Sequence, residues 1–95
     1  IFPGAVISPG VEIGDNTIIG SGAIVDVRSS IGENCHLMPG AVVCGRCVIE
    51  RNVYLGAGAI VEPTLTVGKH QHVKSGEVVS ASLEPLYRKE NVDEK

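Results

Sequence analysis

The sequence predicts an all-β chain wound as a triangular parallel β-helix of hexapeptide repeats, about four and a half coils over residues 1–79, followed by a short C-terminal tail over 80–95. Three observations carry this. An aliphatic residue stands at every sixth position from Ile1 to Val79, fourteen times without exception. Five glycines, Gly4, Gly22, Gly40, Gly58 and Gly76, recur eighteen residues apart, so the hexads group in threes. Large side chains are scarce: the 95 residues include no Trp, 1 Phe and 2 Tyr, although 43% of the chain is apolar. A compact globule lacks material for its core, whereas a thin prism of small aliphatics does not need it.

A six-residue period is neither helical nor simply alternating, so each hexad holds a short strand and a turn. Take the aliphatic residue as position one. Position five is small in the first ten hexads, from Ala5, Val11 and Thr17 to Cys47, Val53 and Ala59. Residues two apart in extended chain share a face, so position five of one hexad and position one of the next point inward, while positions six and two point outward. Positions three and four carry turn residues such as Pro3-Gly4, Pro9-Gly10, Pro39-Gly40, Asn16, Asn34 and Asn52. One corner of the prism is thus all glycine. A second carries Asn16, Asn34, Asn52 and His70, and the third carries Gly10, Arg28, Arg46 and Thr64. Arginine at the third corner predicts a departure from the tight left-handed turn. From residue 80 the hexad stops, and the segment from Ser82 to Glu90 is expected to form one or two helical turns with Pro85 near their start. These turns lay Leu83, Leu86 and Tyr87 on the open end of the prism.

The outward columns differ in chemistry. The first face displays Val6, Ile24, Val42, Ile60 and Val78, an aliphatic stripe that reads as a subunit interface. The second shows Glu12, Ser30, Val48 and Thr66 at the same positions, so polar residues are tolerated there. The third displays Ile18, His36, Tyr54 and His72, flanked by Gly20, Met38, Gly56 and Lys74, and turns through the glycine corner onto the aliphatic face. A groove floored by glycine lets an extended ligand approach the backbone closely. Imidazole titrates near neutrality, so His36 can accept a proton from an attacking hydroxyl or amine. Arg28 and Arg46 stack one coil apart, either as ligands for a phosphate or carboxylate or as solvated corner charges.

A net charge of −3 speaks against a nucleic-acid partner, and no apolar run approaches the roughly 20 residues that span a bilayer. Three cysteines, an odd number, fit a reducing compartment. A start at Ile1, without Met or a signal peptide, fits a piece of a longer chain. Cys44-Gly45-Arg46-Cys47 spells a CxxC, but its register points Cys47 inward and Cys44 outward, and no second CxxC completes a zinc site. No metal is expected. His36 and His72 lie two coils apart, about 9.6 Å by strand spacing, too far to share one ion within a subunit.

Repeats such as Ile13-Gly14-Asp15-Asn16-Thr17-Ile18 and Leu55-Gly56-Ala57-Gly58-Ala59-Ile60 resemble those of the hexapeptide-repeat acyltransferases, over residues 1–79. The runs from Gly4 to Asp26 and from Ile31 to Ala41 are similar to those of sugar acetyltransferases that modify sialic acid or bacterial amino-sugars. The resemblance implies a left-handed helix, a cytoplasmic homotrimer, and acetyl-CoA as co-substrate for transfer to a sugar hydroxyl or amine. It makes His36 the catalytic candidate. With it go Gly40, Gly56, Gly58, Gly76 and Lys74 on the acetyl-CoA side, and Tyr54 and Met38 on the acceptor side. In that family the helix usually follows an amino-terminal nucleotide-sugar-binding domain; these residues begin on the helix itself and are expected to be a truncated or reduced chain. Two further departures stand out. The family's principal base lies in an Asp-His-Asp/Glu-Cys run where this chain has Asp26-Val27-Arg28-Ser29, and the tail does not match the family's Val-Pro-rich closing segment. A non-catalytic trimeric scaffold, or an acyl-CoA-binding remnant, is therefore the competing reading. The γ-type carbonic anhydrases, which share the fold and bind a metal through three His from two subunits, are a weaker one.

Overall fold

The structure is a computed structural model that describes residues 1–86. Among the described residues thirteen two-residue strands recur every six residues and stack into three parallel sheets. The first sheet holds β1 (Val6–Ile7), β4 (Ile24–Val25), β7 (Val42–Val43), β10 (Ile60–Val61) and β13 (Val78–Val79). The second holds β2 (Glu12–Ile13), β5 (Ser30–Ile31), β8 (Val48–Ile49) and β11 (Thr66–Val67). The third holds β3 (Ile18–Ile19), β6 (His36–Leu37), β9 (Tyr54–Leu55) and β12 (His72–Val73). Each ladder joins residues eighteen apart, as Ile24 to Val42 and His36 to Tyr54. This is the left-handed parallel β-helix, and each outward column of the sequence is one face of it.

The interior is filled by positions one and five. Ile19, Val25, Leu37, Val43, Leu55 and Val61 are completely buried, and Ala23, Ala41 and Ala59 form a ladder of small side chains beside the glycine corner. Each fully buried Val, Leu or Ile stabilises the fold by about 1.5–3 kcal/mol relative to exposure. In the first coil Ala5, Ile7, Val11 and Ile13 are only half-buried, because they have a neighbouring coil on one side alone.

Every corner is the same turn. Position four has a positive φ whether it is glycine, as in Gly22 (70°) and Gly58 (71°), or not, as in Asn34 (56°), Arg28 (60°), Arg46 (59°), Thr64 (63°) and His70 (68°). The expectation that arginine marks a looser corner is therefore corrected: Arg28 and Arg46 accept the left-handed conformation. The geometric reason is the stack itself. The position-four N–H donates to the position-three carbonyl of the coil below, as Arg46 to Val27 (2.9 Å) and Gly58 to Pro39 (3.1 Å), and this holds all corners to one shape.

Inside the second and third corners a side chain closes what the backbone leaves open. Thr17 Oγ1 donates to the Gly32 carbonyl (2.7 Å) and accepts from the Cys35 N–H (3.1 Å). One coil further on, the Cys35 thiol donates to the Glu50 carbonyl (3.1 Å). The Cys47 thiol likewise donates to the Glu62 carbonyl (3.0 Å). Cys35 and Cys47 are thus hydrogen-bonding members of the core as well as small packing residues.

The expected helix from Ser82 does not form within the described part of the tail. Leu83 instead makes a parallel bridge to Val67, sixteen residues away, and packs against the core. Its N–H donates to the Thr66 carbonyl (2.9 Å), and Gly68 N–H donates to its carbonyl (2.7 Å). Unpaired strand edges offer more backbone bonds than a short isolated helix would make, and the chain takes them. Leu86 is 51% exposed, so it does not cover the end, and the expectation for Tyr87 to Glu90 lies outside the described residues.

Candidate functional site

The third sheet and the glycine corner beside it form the candidate site. Ile18, His36, Tyr54 and His72 are in direct register on β3, β6, β9 and β12, all on outward position six. Strand register therefore stacks their side chains. The His36 and Tyr54 rings meet edge to face with centroids 5.6 Å apart, and Tyr54 and His72 stack at 4.4 Å with a 31° tilt. Tyr54 holds the two imidazoles apart, so within one chain they act singly.

His36 also lines a groove of 260 Å³ with Phe2, Ile18, Gly20, Met38 and Pro39. The groove lies toward the first coil, on the side of His36 away from Tyr54. Met38 therefore shares a concavity with His36, whereas Tyr54 reaches the site through its ring contact. Phe2 and Ile18 were not singled out from the sequence as site residues. Ile18 heads the outward column that contains His36, and Phe2 heads the position-two column of Gly20 and Met38, so the period alone could have found both.

The glycines divide into two kinds. At Gly22, Gly58 and Gly76 an added Cβ would meet nothing within 4 Å, and at Gly40 it would make only an ordinary contact with Gly58, 3.7 Å away. This corner presents bare backbone. Gly56 is different: a Cβ there would collide with the backbone of Ser75 and Lys74, so its hydrogen faces the next coil and not a ligand. Gly20 is pressed in the same way against Met38 and Pro39, with Pro39 N only 2.7 Å from the missing Cβ. Lys74 is exposed on the last full coil, two coils from Met38, and its N–H donates to the Glu77 carboxylate (3.1 Å). The structure thus gathers His36 and Met38 at one groove, with Gly40 at the adjoining corner and Gly58 and Gly76 on successive coils.

Arg28 and Arg46 stand apart from this site, exposed on the corner between the first and second sheets. Val27 lies at that same corner, so the position of the family-type base is remote from His36 within a chain. A second hollow of 440 Å³ lies on the second sheet, where Glu33, Glu50, Arg51 and Lys69 balance one another. The Glu50 carboxylate accepts from the Lys69 N–H at 2.9 Å. On the first face Val6 (50%), Ile24 (37%), Ile60 (36%) and Val78 (52%) are exposed and Val42 is half-buried.

The three cysteines are free thiols. Burial pushes Cys35 up from its ordinary value, against backbone hydrogen bonds from Val53, Asn52 and Gly32 that favour the thiolate. Burial likewise raises Cys47. Cys44 is raised by desolvation first, and then by the negative neighbours Cys47, Asp26 and Glu62. Among the described residues no three His, Cys, Asp or Glu side chains converge as a metal site, and no helix is long and apolar enough to cross a membrane.

Solved structures share this architecture. The chain is 28% identical to WeeI from Acinetobacter baumannii AYE, with a TM-score of 0.54, covering 86% of this chain and 50% of that one. It is 26% identical to a mutant GDP-perosamine N-acetyl transferase from Caulobacter crescentus in complex with CoA and GDP-perosamine, with a TM-score of 0.52, covering 90% and 49%. The acetyltransferase domain of PglB from Neisseria gonorrhoeae FA1090, 22% identical with a TM-score of 0.56 and 85% and 48% covered, shares the fold. The chain thus spans about half the length of the structures it matches. No curated protein sequence matches it. The bacterial transferase hexapeptide (six repeats) pattern covers residues 1–26 and 28–63, and with the three-sheet prism it establishes that the chain belongs to the bacterial transferase hexapeptide family.

Proposed function

We propose that the glycine corner binds the pantetheine arm of acetyl-CoA and that His36 serves acetyl transfer to a sugar hydroxyl or amine. The observation that carries this reading is a contrast between corners. Seven non-glycine residues tolerate the same positive φ at the other two corners, yet the corner beside His36 is glycine in all five coils. Backbone conformation alone does not demand that, whereas close approach of an extended ligand does. The CoA bound to the perosamine N-acetyl transferase supports the same ligand class.

In this mechanism His36 accepts the proton of the attacking hydroxyl or amine as its oxygen or nitrogen bonds to the thioester carbonyl carbon. The carbon–sulfur bond then breaks, and the imidazolium returns the proton to the departing CoA thiolate. Tyr54 fixes the ring of His36, and Met38 borders the acceptor. The aliphatic stripe of the first face joins three copies, and the free thiols suit the cytoplasm.

The reading is tested by calorimetric titration of acetyl-CoA into protein whose assembly mass is known from light scattering. Saturable binding at about one per chain, weakened in Gly58→Leu, is the expected result. A trimer that gives no heat at millimolar acetyl-CoA sinks it and leaves the trimeric scaffold, which the Val27-Arg28 sequence at the family's base position favours.

A further inference from the structure

We infer that Arg28 and Arg46 form a binding site for a diphosphate group, on the corner between the first and second sheets and separate from the groove beside His36. The inference does not rest on the acetyl-transfer reading, because the two arginines lie apart from His36 within the chain.

Three observations carry it. The first is the backbone. Arg28 (φ 60°) and Arg46 (φ 59°) both stand in the left-handed region, where a long side chain is disfavoured and glycine is not. The repeat does not impose arginine there, since Gly10 holds the same place one coil below and Thr64 one coil above. Strain of this kind persists at binding sites, and here it recurs on two successive coils with the same side chain. The second is charge. Parallel stacking sets the two positions about 4.8 Å apart, so two like charges share one edge of a chain whose net charge is −3. Among the described residues neither guanidinium has an ion pair or a hydrogen bond to relieve that repulsion. Asp26, the acid nearest in sequence to Arg28, is engaged elsewhere: its Oδ1 accepts from the Val27 N–H (2.7 Å) and from the Ser8 hydroxyl (3.3 Å). The third is room. A Cβ added at Gly10 would meet Arg28 Cγ at 3.0 Å, so the Arg28 side chain lies along the corner over bare backbone, and both arginines are exposed.

Two planar forks one coil apart offer donors to two sets of oxygens. A carboxylate fills one fork, whereas a diphosphate carries charge on two phosphorus centres and engages both. That chemistry has two sources, free pyrophosphate and the esterified diphosphate of a nucleotide.

The test measures dissociation constants by calorimetry, at one ionic strength, for inorganic pyrophosphate, ADP and malonate on the intact protein, and again on Arg28→Gly, Arg46→Gly and Arg51→Ala. Glycine takes the corner φ without steric cost, so the first two variants keep the fold, and the third removes an exposed arginine elsewhere. The expected result is saturable pyrophosphate binding at about one per chain, about tenfold weaker in each corner variant and unchanged in Arg51→Ala, with malonate about tenfold weaker than pyrophosphate. ADP binding more tightly than pyrophosphate, with the same dependence on both arginines, identifies an esterified diphosphate; weaker ADP binding identifies the free ion. Equal losses in all three variants mean diffuse attraction to positive charge and overturn the site. Malonate binding as tightly as pyrophosphate overturns the diphosphate assignment, and an intact protein that binds neither pyrophosphate nor ADP overturns the inference outright.

Discussion

Ser29 bridges the turn that leads into Cys47: its hydroxyl donates to the Cys44 carbonyl at 2.8 Å and accepts from the Cys47 N–H at 3.2 Å. The glycine corner closes the equivalent turn with backbone alone, as when the Ala41 N–H donates to the Met38 carbonyl (3.1 Å). Ser29 is 1% exposed, so no water replaces it. Ser29→Ala leaves a buried N–H and a buried carbonyl without a partner and is expected to cost about 2–3 kcal/mol in urea denaturation. A loss below about 0.5 kcal/mol would show that the turn recloses on its own backbone.

The raised thiols make stability depend on pH in the alkaline range. A thiol whose folded pKa lies above its unfolded value binds its proton more tightly when folded. Its contribution is full below about pH 8.5, the unfolded value, and is lost as pH rises through the folded one. Because Cys35 and Cys47 both shift upward, thermal stability should fall from about pH 8.5 upward, and less steeply in a Cys35→Ser, Cys47→Ser double variant. An identical alkaline slope in the two proteins would remove the thiols as its source.

Arg46 carries a left-handed backbone (59°) that glycine adopts without steric cost. Arg46→Gly should therefore stabilise the helix by about 0.5–1 kcal/mol, after the added freedom of the unfolded chain is set against the relieved strain. Chemical denaturation measures it, and destabilisation would mean that the arginine side chain holds the corner.

Gly56 and Gly58 should respond oppositely to the same added methyl. Gly56→Ala drives a Cβ into the backbone of Ser75 and is expected to disorder the upper coils, read as lost amide protection from Tyr54 onward. Gly58→Ala meets open space and bears only the backbone strain, about 1–2 kcal/mol. Equal losses at the two positions would falsify the division between packing glycines and the bare corner.

The prism was legible because its period is simple: a residue's place in the hexad decides whether it points in or out, and its place in the triplet decides its face. Ile24, His36 and Thr66 all fall where those two numbers put them. Arg28 was misjudged because residue preference at positive φ is a matter of about 1–2 kcal/mol, which bonds between coils outweigh. Leu83 was misjudged because local helix signals say nothing about an unsatisfied strand edge nearby. His36 and Met38 were legible as neighbours, while the groove itself required knowing that Phe2 and Ile18 line it together with them.

The sixteen-residue step from Val67 to Leu83 also bears on polymerisation. A parallel solenoid is its own template, since its last coil offers the pattern of donors and acceptors that the first coil of another copy could extend. Among the described residues, the layer at Leu83 advances two residues short of the eighteen-residue pitch and pairs with the edge of β11. A coil laid on that layer in the ordinary register would meet one side already taken and its own three sides out of phase. Stacking without limit needs a constant pitch, and the step from Val67 to Leu83 breaks it.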